Sequence, residues 1–161
     1  MRAAGAQIAL MLLVTVGSSC TQGSSSTLTL NSASVDSAYS CPPGVDNVPY
    51  TFHATIDLRN GTSSSVTIKS VAATMTLAAV KGPWLARVGD KYEASGVTFA
   101  PATVKAGTST LLQVAIPSAC TNGSTPPGGA SYGDYSVDLV VSASSGTYTI
   151  ASKNRHRIVA S

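Results

Sequence analysis

The stretch Tyr50-Thr51-Phe52-His53-Ala54-Thr55-Ile56-Asp57-Leu58-Arg59 decides the fold. Tyr50, Phe52, Ala54, Ile56 and Leu58 alternate with Thr51, His53, Thr55, Asp57 and Arg59. In an extended chain successive side chains point to opposite faces, so this segment puts an oily face into a core and a polar face into water. His53 falls on the water face.

The same period of two recurs outward in both directions. Leu28 and Leu30 carry it before this stretch. After it come Leu112, Val114 and Ile116, then Tyr135, Val137, Leu139 and Val141, then Tyr148 and Ile150. Val66 and Ile68 begin a further strand, but Val71, Ala73, Met75 and Leu77 continue it on the opposite parity, which requires a bulge or a change of sheet between Ile68 and Val71. Val97 and Phe99 mark another short strand. Asn60-Gly61, Gly82-Pro83, Gly89-Asp90, Ala106-Gly107 and Ser145-Gly146 punctuate these runs as turns. No segment carries a 3.6-residue period.

About seven short strands separated by regular turns read as an all-β, antiparallel two-sheet sandwich of the immunoglobulin-like class. The strands are expected over 27–35, 50–59, 66–77, 92–99, 110–116, 135–141 and 147–150. Gly133-Asp134-Tyr135-Ser136-Val137 resembles the tyrosine corner of that fold. The pattern over most of 27–161 is similar to the immunoglobulin-like and fibronectin type III-like, adhesion-related domains of bacterial envelope proteins. The resemblance implies a sandwich and leaves the function open.

The amino terminus reads as an export signal. Arg2 supplies a positive start, Ile8 to Val16 form an apolar run of nine residues, and Gly17, Ser18 and Ser19 lead to Cys20. A run that short cannot span a bilayer as a helix, which needs about 20 apolar residues. Val16-Gly-Ser-Ser-Cys20 resembles the lipobox of bacterial lipoproteins, with Gly17 where that family prefers leucine. The resemblance implies cleavage after Ser19 and a lipid on Cys20. The organisation expected is then a signal peptide over 1–19, a flexible tether over 20–26 and one sandwich domain over 27–161. The chain would be held through its lipid at the outer face of the bacterial membrane. Release as a secreted protein is the alternative.

Cysteine parity agrees with that organisation. There are three cysteines, Cys20, Cys41 and Cys120. With Cys20 acylated, Cys41 and Cys120 remain as one pair in an oxidising compartment. Strands of a sandwich run alternately up and down. The connections holding Cys41 and Cys120, after the first and fifth expected strands, therefore fall at the same pole, and the pair is geometrically reasonable.

Composition narrows the function by exclusion. Charged residues are 11% of the chain, against roughly 25% in an average globular protein. The formal net charge of +3 includes Arg2 of the leader, so no basic field suited to nucleic acid exists. His53 and His156 are the only histidines, and neither has metal-ligand company at a recognisable spacing. Cys120 is followed by Thr-Asn-Gly-Ser-Thr-Pro-Pro, which lacks the ligands of a copper-binding sandwich. No nucleophile elbow, phosphate loop or dinucleotide fingerprint occurs, and the carboxylates are scattered. We therefore expect no catalytic residue, no cofactor and no metal.

The long connections gather at the pole of the two cysteines. They carry Tyr39, Tyr132 and the only tryptophan, Trp84. Long loops on a rigid scaffold are where binding usually resides, so these three form the candidate binding surface, for an envelope glycan or a protein. The structural alternative is that Trp84 caps the open end of the sandwich. Lys153, Arg155 and Arg157 read either as an anionic-polymer contact or as charges guarding a sheet edge. The expectation is a non-catalytic envelope lipoprotein that binds or scaffolds. A carbohydrate- or solute-binding accessory domain is the alternative, and an enzyme or metal carrier is the remote one.

Overall fold

A computed structural model describes residues 27–43, 47–120 and 131–160. The expected signal peptide and the tether with Cys20 lie outside the described residues. The described residues form eleven strands: β1 (Leu28–Val35), β2 (Ala38–Cys41), β3 (Val48–Asn60), β4 (Val66–Lys81), β5 (Lys91–Glu93), β6 (Thr98–Ala100), β7 (Thr103–Val104), β8 (Ser109–Cys120), β9 (Ser131–Ala143), β10 (Gly146–Ala151) and β11 (His156–Ala160). One sheet has the order β1-β3-β8-β6. The other has the order β2-β11-β9-β4-β5, with β10 also on β9 and β7 on β4. Among the described residues the strand pairings are antiparallel except β2 with β11, and a single parallel bridge joins Ala33 to Ser152.

The alternation of β3 is realised in full. Phe52, Ala54, Ile56 and Leu58 are buried, and Thr51, His53 and Arg59 are exposed. From β8, Leu112, Val114 and Ile116 join them; Met75, Leu77, Val137, Leu139 and Val141 face them from the second sheet. Each of these side chains larger than alanine stabilises the fold by about 1.5–3 kcal/mol when fully buried. The expected slip in the third strand occurs on β4. Its register against β9 shifts between Ile68 and Ser70, and this lets both halves of a sixteen-residue strand bury their apolar sides.

Four strands more than expected are present. The strand expected over 92–99 divides into β5 on β4 and β6 on β8. Gly96, at φ 70°, stands between them where the chain changes sheets. β2, β7 and β11 are the others. β1 and β2 are likewise one course of chain that changes sheets at Asp36-Ser37.

That second crossing is clasped by the carboxy-terminal segment. The Asn154 side chain brackets Val35 like a strand partner, its Nδ2 donating to the Val35 carbonyl at 2.7 Å and its Oδ1 accepting from the Val35 N–H at 3.0 Å. The Arg157 N–H donates to the Ser37 carbonyl and the Lys153 N–H to the Ala33 carbonyl. The expected edge-guard role of Lys153, Arg155 and Arg157 needs correction. β11 is no edge, because β2 covers one side and β9 the other. The chain breaks between β10 and β11, and the second half then starts a new strand in which His156, Ile158 and Ala160 point inward.

The two poles are distinct. β3 pairs Val48 with Cys120 at one end and, through β1, Asn60 with Leu28 at the other. Its thirteen residues span about 40 Å at roughly 3.3 Å each. At the first pole Cys41 of β2 is bonded to Cys120 of β8, with Cα atoms 5.8 Å apart, so a covalent staple joins the sheets as the cysteine count led us to expect. At the second pole Asn60 is fully buried. Its Nδ2 donates to the carbonyls of Ser64 and Val104, and its Oδ1 accepts from the N–H and hydroxyl of Thr62. Asn60 therefore anchors the turn between β3 and β4.

Candidate functional site

The disulfide pole is shaped by the connection between β4 and β5. Gly82 and Gly89 take positive φ values of 72° and 99°, which lets the chain fold back on itself. The Leu77 N–H donates to the Asp90 carbonyl, and the Gly89 N–H to the Leu77 carbonyl. The Asp90 carboxylate accepts the Arg87 N–H at 2.7 Å. A turn tied down this way holds Leu85 and Val88 in solvent at 75% and 60% exposure, beside the exposed Tyr92 and Val80.

Trp84 leaves the same turn and lies against Gly133 of β9. A Cβ on Gly133 would stand 2.7–2.9 Å from three atoms of the indole, so only glycine permits this approach. The indole Nε1–H donates to the Tyr135 hydroxyl at 3.2 Å. Burial pushes the Tyr135 pKa up, and the bond from Trp84 opposes the rise. Tyr135 is the residue of the tyrosine-corner motif, and Trp84 is its partner among the described residues.

Tyr132 sits on the outer face of the second sheet. The Arg157 guanidinium lies 3.9 Å from its ring centroid and the Lys81 Nζ 5.9 Å. Arg157 is held by Asp134 in a two-pronged pair, Nε to Oδ1 at 2.7 Å and Nη2 to Oδ2 at 3.0 Å. The same pair holds the Asp134 carboxyl below its ordinary range.

Tyr39 belongs elsewhere. It points between the sheets from β2 and stacks on Tyr50 with centroids 3.9 Å apart and an interplanar angle of 6°. The three aromatic residues expected at this pole thus do not form one platform. Trp84 closes the end of the core, Tyr132 lies outside a sheet, and Tyr39 fills the space between the sheets.

His156 is the residue that sequence reasoning passed over. It is fully buried, its ring stacked 4.3 Å from Phe52. Nδ1 lies 2.7 Å from the Asp36 carbonyl oxygen, which fixes it as the donor. Nε2 then accepts from the Tyr50 hydroxyl at 3.0 Å. Burial lowers the His156 pKa below its ordinary 6.5 and raises that of Tyr50 to about 12. The signal for His156 was the alternation His156-Arg157-Ile158-Val159-Ala160, which puts His156 in phase with two apolar residues.

His53 and Asp36 form an exposed pair, with Nδ1 and Oδ2 3.1 Å apart. Among the described residues no group of three or more His, Cys, Asp or Glu is placed to hold a metal.

An apolar slot of about 400 Å³ completes the pole. It lies between the sheets under the β4–β5 turn, with Met75, Tyr135 and Ile158 on one wall and Ser118 of β8 on the other.

No known protein-family profile matches the chain, and no curated protein matches it. Two solved structures bear a remote likeness. One is the ASH/PapD-like domain 7 of human CEP192, at 14% identity and a TM-score of 0.34, with 96% of each chain covered. The other is AggA, the major subunit of aggregative adherence fimbriae type I from Escherichia coli, at 9% identity and a TM-score of 0.39, covering 83% of this chain and 95% of that one. The fold is therefore read from the strand order itself: an all-β, immunoglobulin-like sandwich stapled by Cys41–Cys120.

Proposed function

We propose that this chain is a non-catalytic module of the bacterial cell envelope, anchored by a lipid on Cys20 and presenting its disulfide pole to a protein or glycan partner. The observation that carries the reading is the opposition of the two poles. Leu28, the first residue of the sandwich, pairs with Asn60 about 40 Å from the Val48–Cys120 end of β3. A tether at residues 20–26 would enter at the Asn60 end. The tied turn with Leu85 and Val88 would then point away from the membrane. The covalent staple suits an oxidising compartment and keeps the presenting end rigid.

A protein partner is favoured over a glycan that stacks on aromatic rings. Tyr39 and Tyr132 already have a ring face engaged by Tyr50 and Arg157, and Trp84 rests on Gly133. Among the described residues the exposed large hydrophobic side chains at this pole are Leu85, Val88, Val80 and Tyr92, so Tyr92 is the one aromatic among three aliphatic residues.

Mass spectrometry of the mature amino terminus tests the anchor. A diacylglyceryl mass on Cys20, lost together with membrane retention in Cys20→Ser, is expected; an unmodified terminus beyond Cys20 refutes it. Chemical cross-linking on intact cells tests the pole. Leu85→Ser with Val88→Ser should abolish cross-linked species while the melting temperature holds. Unchanged cross-linking in that variant refutes the contact role.

A further inference from the structure

The slot beneath the β4–β5 turn exists because the two sheets are unequally completed along one side. β6 reaches only Gln113 to Ala115 of β8, so the rest of β8 toward Cys120 lacks that neighbour. On the facing sheet β5 stops at Glu93 and the chain leaves to change sheets. The space left between them is about 400 Å³, within the usual range for small-molecule sites.

Its walls are strands, which makes it a preformed feature. Met75, Tyr135, Ser118 and Ile158 are 1%, 8%, 8% and 5% exposed, and Ala86 approaches from the turn. Most of this lining is apolar. Two buried hydroxyls interrupt it, those of Tyr135 and Ser118. The Tyr135 oxygen is located by the Trp84 N–H, and burial keeps that phenol protonated and able to donate. Ser118 Oγ makes a long contact with the Met75 sulfur, at 3.9 Å, and a side-chain hydrogen bond with Tyr50, so the Tyr135 hydroxyl is the stronger candidate donor to a ligand. The exposed Asp90 and Lys91 also line the slot, and their charges balance. A charged ligand would lose its hydration there without a net countercharge. A neutral ligand would pay no such cost and could satisfy a hydroxyl.

We propose that this slot is a binding site for an uncharged, largely apolar small molecule carrying one hydrogen-bond-accepting oxygen. It rests on reading this pole as the contact end, and it adds a solute to the macromolecular partner.

The probe is 6-propionyl-2-dimethylaminonaphthalene, a neutral fluorophore with a single ketone, titrated into the purified chain. Saturable one-to-one binding with a blue-shifted emission is expected. Ala86→Phe, which fills the slot from the turn side and leaves the strands untouched, should weaken binding at least tenfold without lowering the melting temperature. Tyr135→Phe should weaken it several-fold; if that variant melts early, Ser118→Ala reports on the second hydroxyl in its place. Leu111→Ser removes an exposed leucine on the remote face of β8 and should leave affinity unchanged. Non-saturable binding overturns the proposal. So does parental affinity in Ala86→Phe, or a loss confined to Leu111→Ser, either of which assigns the probe to surface side chains. Failure here leaves cross-linking at Leu85 and Val88 unaffected, and loss of cross-linking leaves the titration unaffected, so the two readings fail separately.

Discussion

Lowering the pH from 7.5 to 5.0 should destabilise this protein through one buried ring, His156. Its Nδ1–H is committed to the Asp36 carbonyl and its Nε2 to the Tyr50 hydroxyl, so the neutral tautomer is the one the fold accommodates. Burial depresses its pKa below the ordinary 6.5. A depressed folded-state pKa contributes stability that is fully present above the unfolded value. That stability is lost as pH falls, because the unfolded chain takes up a proton the folded one refuses. The slope approaches about 1.4 kcal/mol per pH unit at its steepest, and the loss between pH 6.5 and 5.5 is at most about 1 kcal/mol. A melting temperature would fall by about 4 °C over that interval. Urea denaturation at half-unit pH steps measures it directly. His53 is the other histidine and lies exposed beside Asp36, so His53→Asn serves as the control that should retain the slope. His156→Phe should flatten it. That variant also strands the Asp36 carbonyl and the Tyr50 hydroxyl, at about 1–3 kcal/mol each, a penalty that does not vary with pH over this range. A slope that survives in His156→Phe, or one of opposite sign in the parent, would refute the reasoning.

Three further outcomes follow from other parts of the structure. Cys41→Ser opens a covalent loop of 79 residues and should cost about 4.5 kcal/mol on the chain-entropy account; a melting temperature indifferent to reducing agent would contradict it. Gly133→Ala places a methyl group against the indole and should expel Trp84 into water. The expected cost is about 1–3 kcal/mol, with a red shift in emission that a chain with one tryptophan reports unambiguously. Asn60→Ala removes a side chain bonded to Thr62, Ser64 and Val104 and should lower stability by about 2–4 kcal/mol, measured by urea denaturation at constant m-value.

Two regions were hardest to read in one dimension. The carboxy-terminal segment shows three cations within five residues, which suggests an exposed edge. Yet Arg157 is spent on Asp134 and the ring of Tyr132, and β2 covers the strand. Position 92–99 reads as one strand, and the chain divides it because the two sheets each need an edge there. The candidate aromatic surface was dispersed for a related reason. Loop membership places a residue at a pole, but Tyr39 and Tyr132 lie on strands, where the pleat sends one between the sheets and the other onto an outer face.

The sequence by itself determined the class of fold, the position of its main strands and the change of parity within β4, and it put Cys41 and Cys120 at one pole. Each follows from local alternation or from the up-and-down parity of strands, which need no knowledge of neighbours. Only the tertiary structure decided which strand lies beside which, that His156 is enclosed by Phe52, Tyr50 and Asp36, and that an apolar slot remains beside β8. Those depend on contacts between residues about 100 positions apart, and such contacts are set by the packing of two twisted sheets against each other.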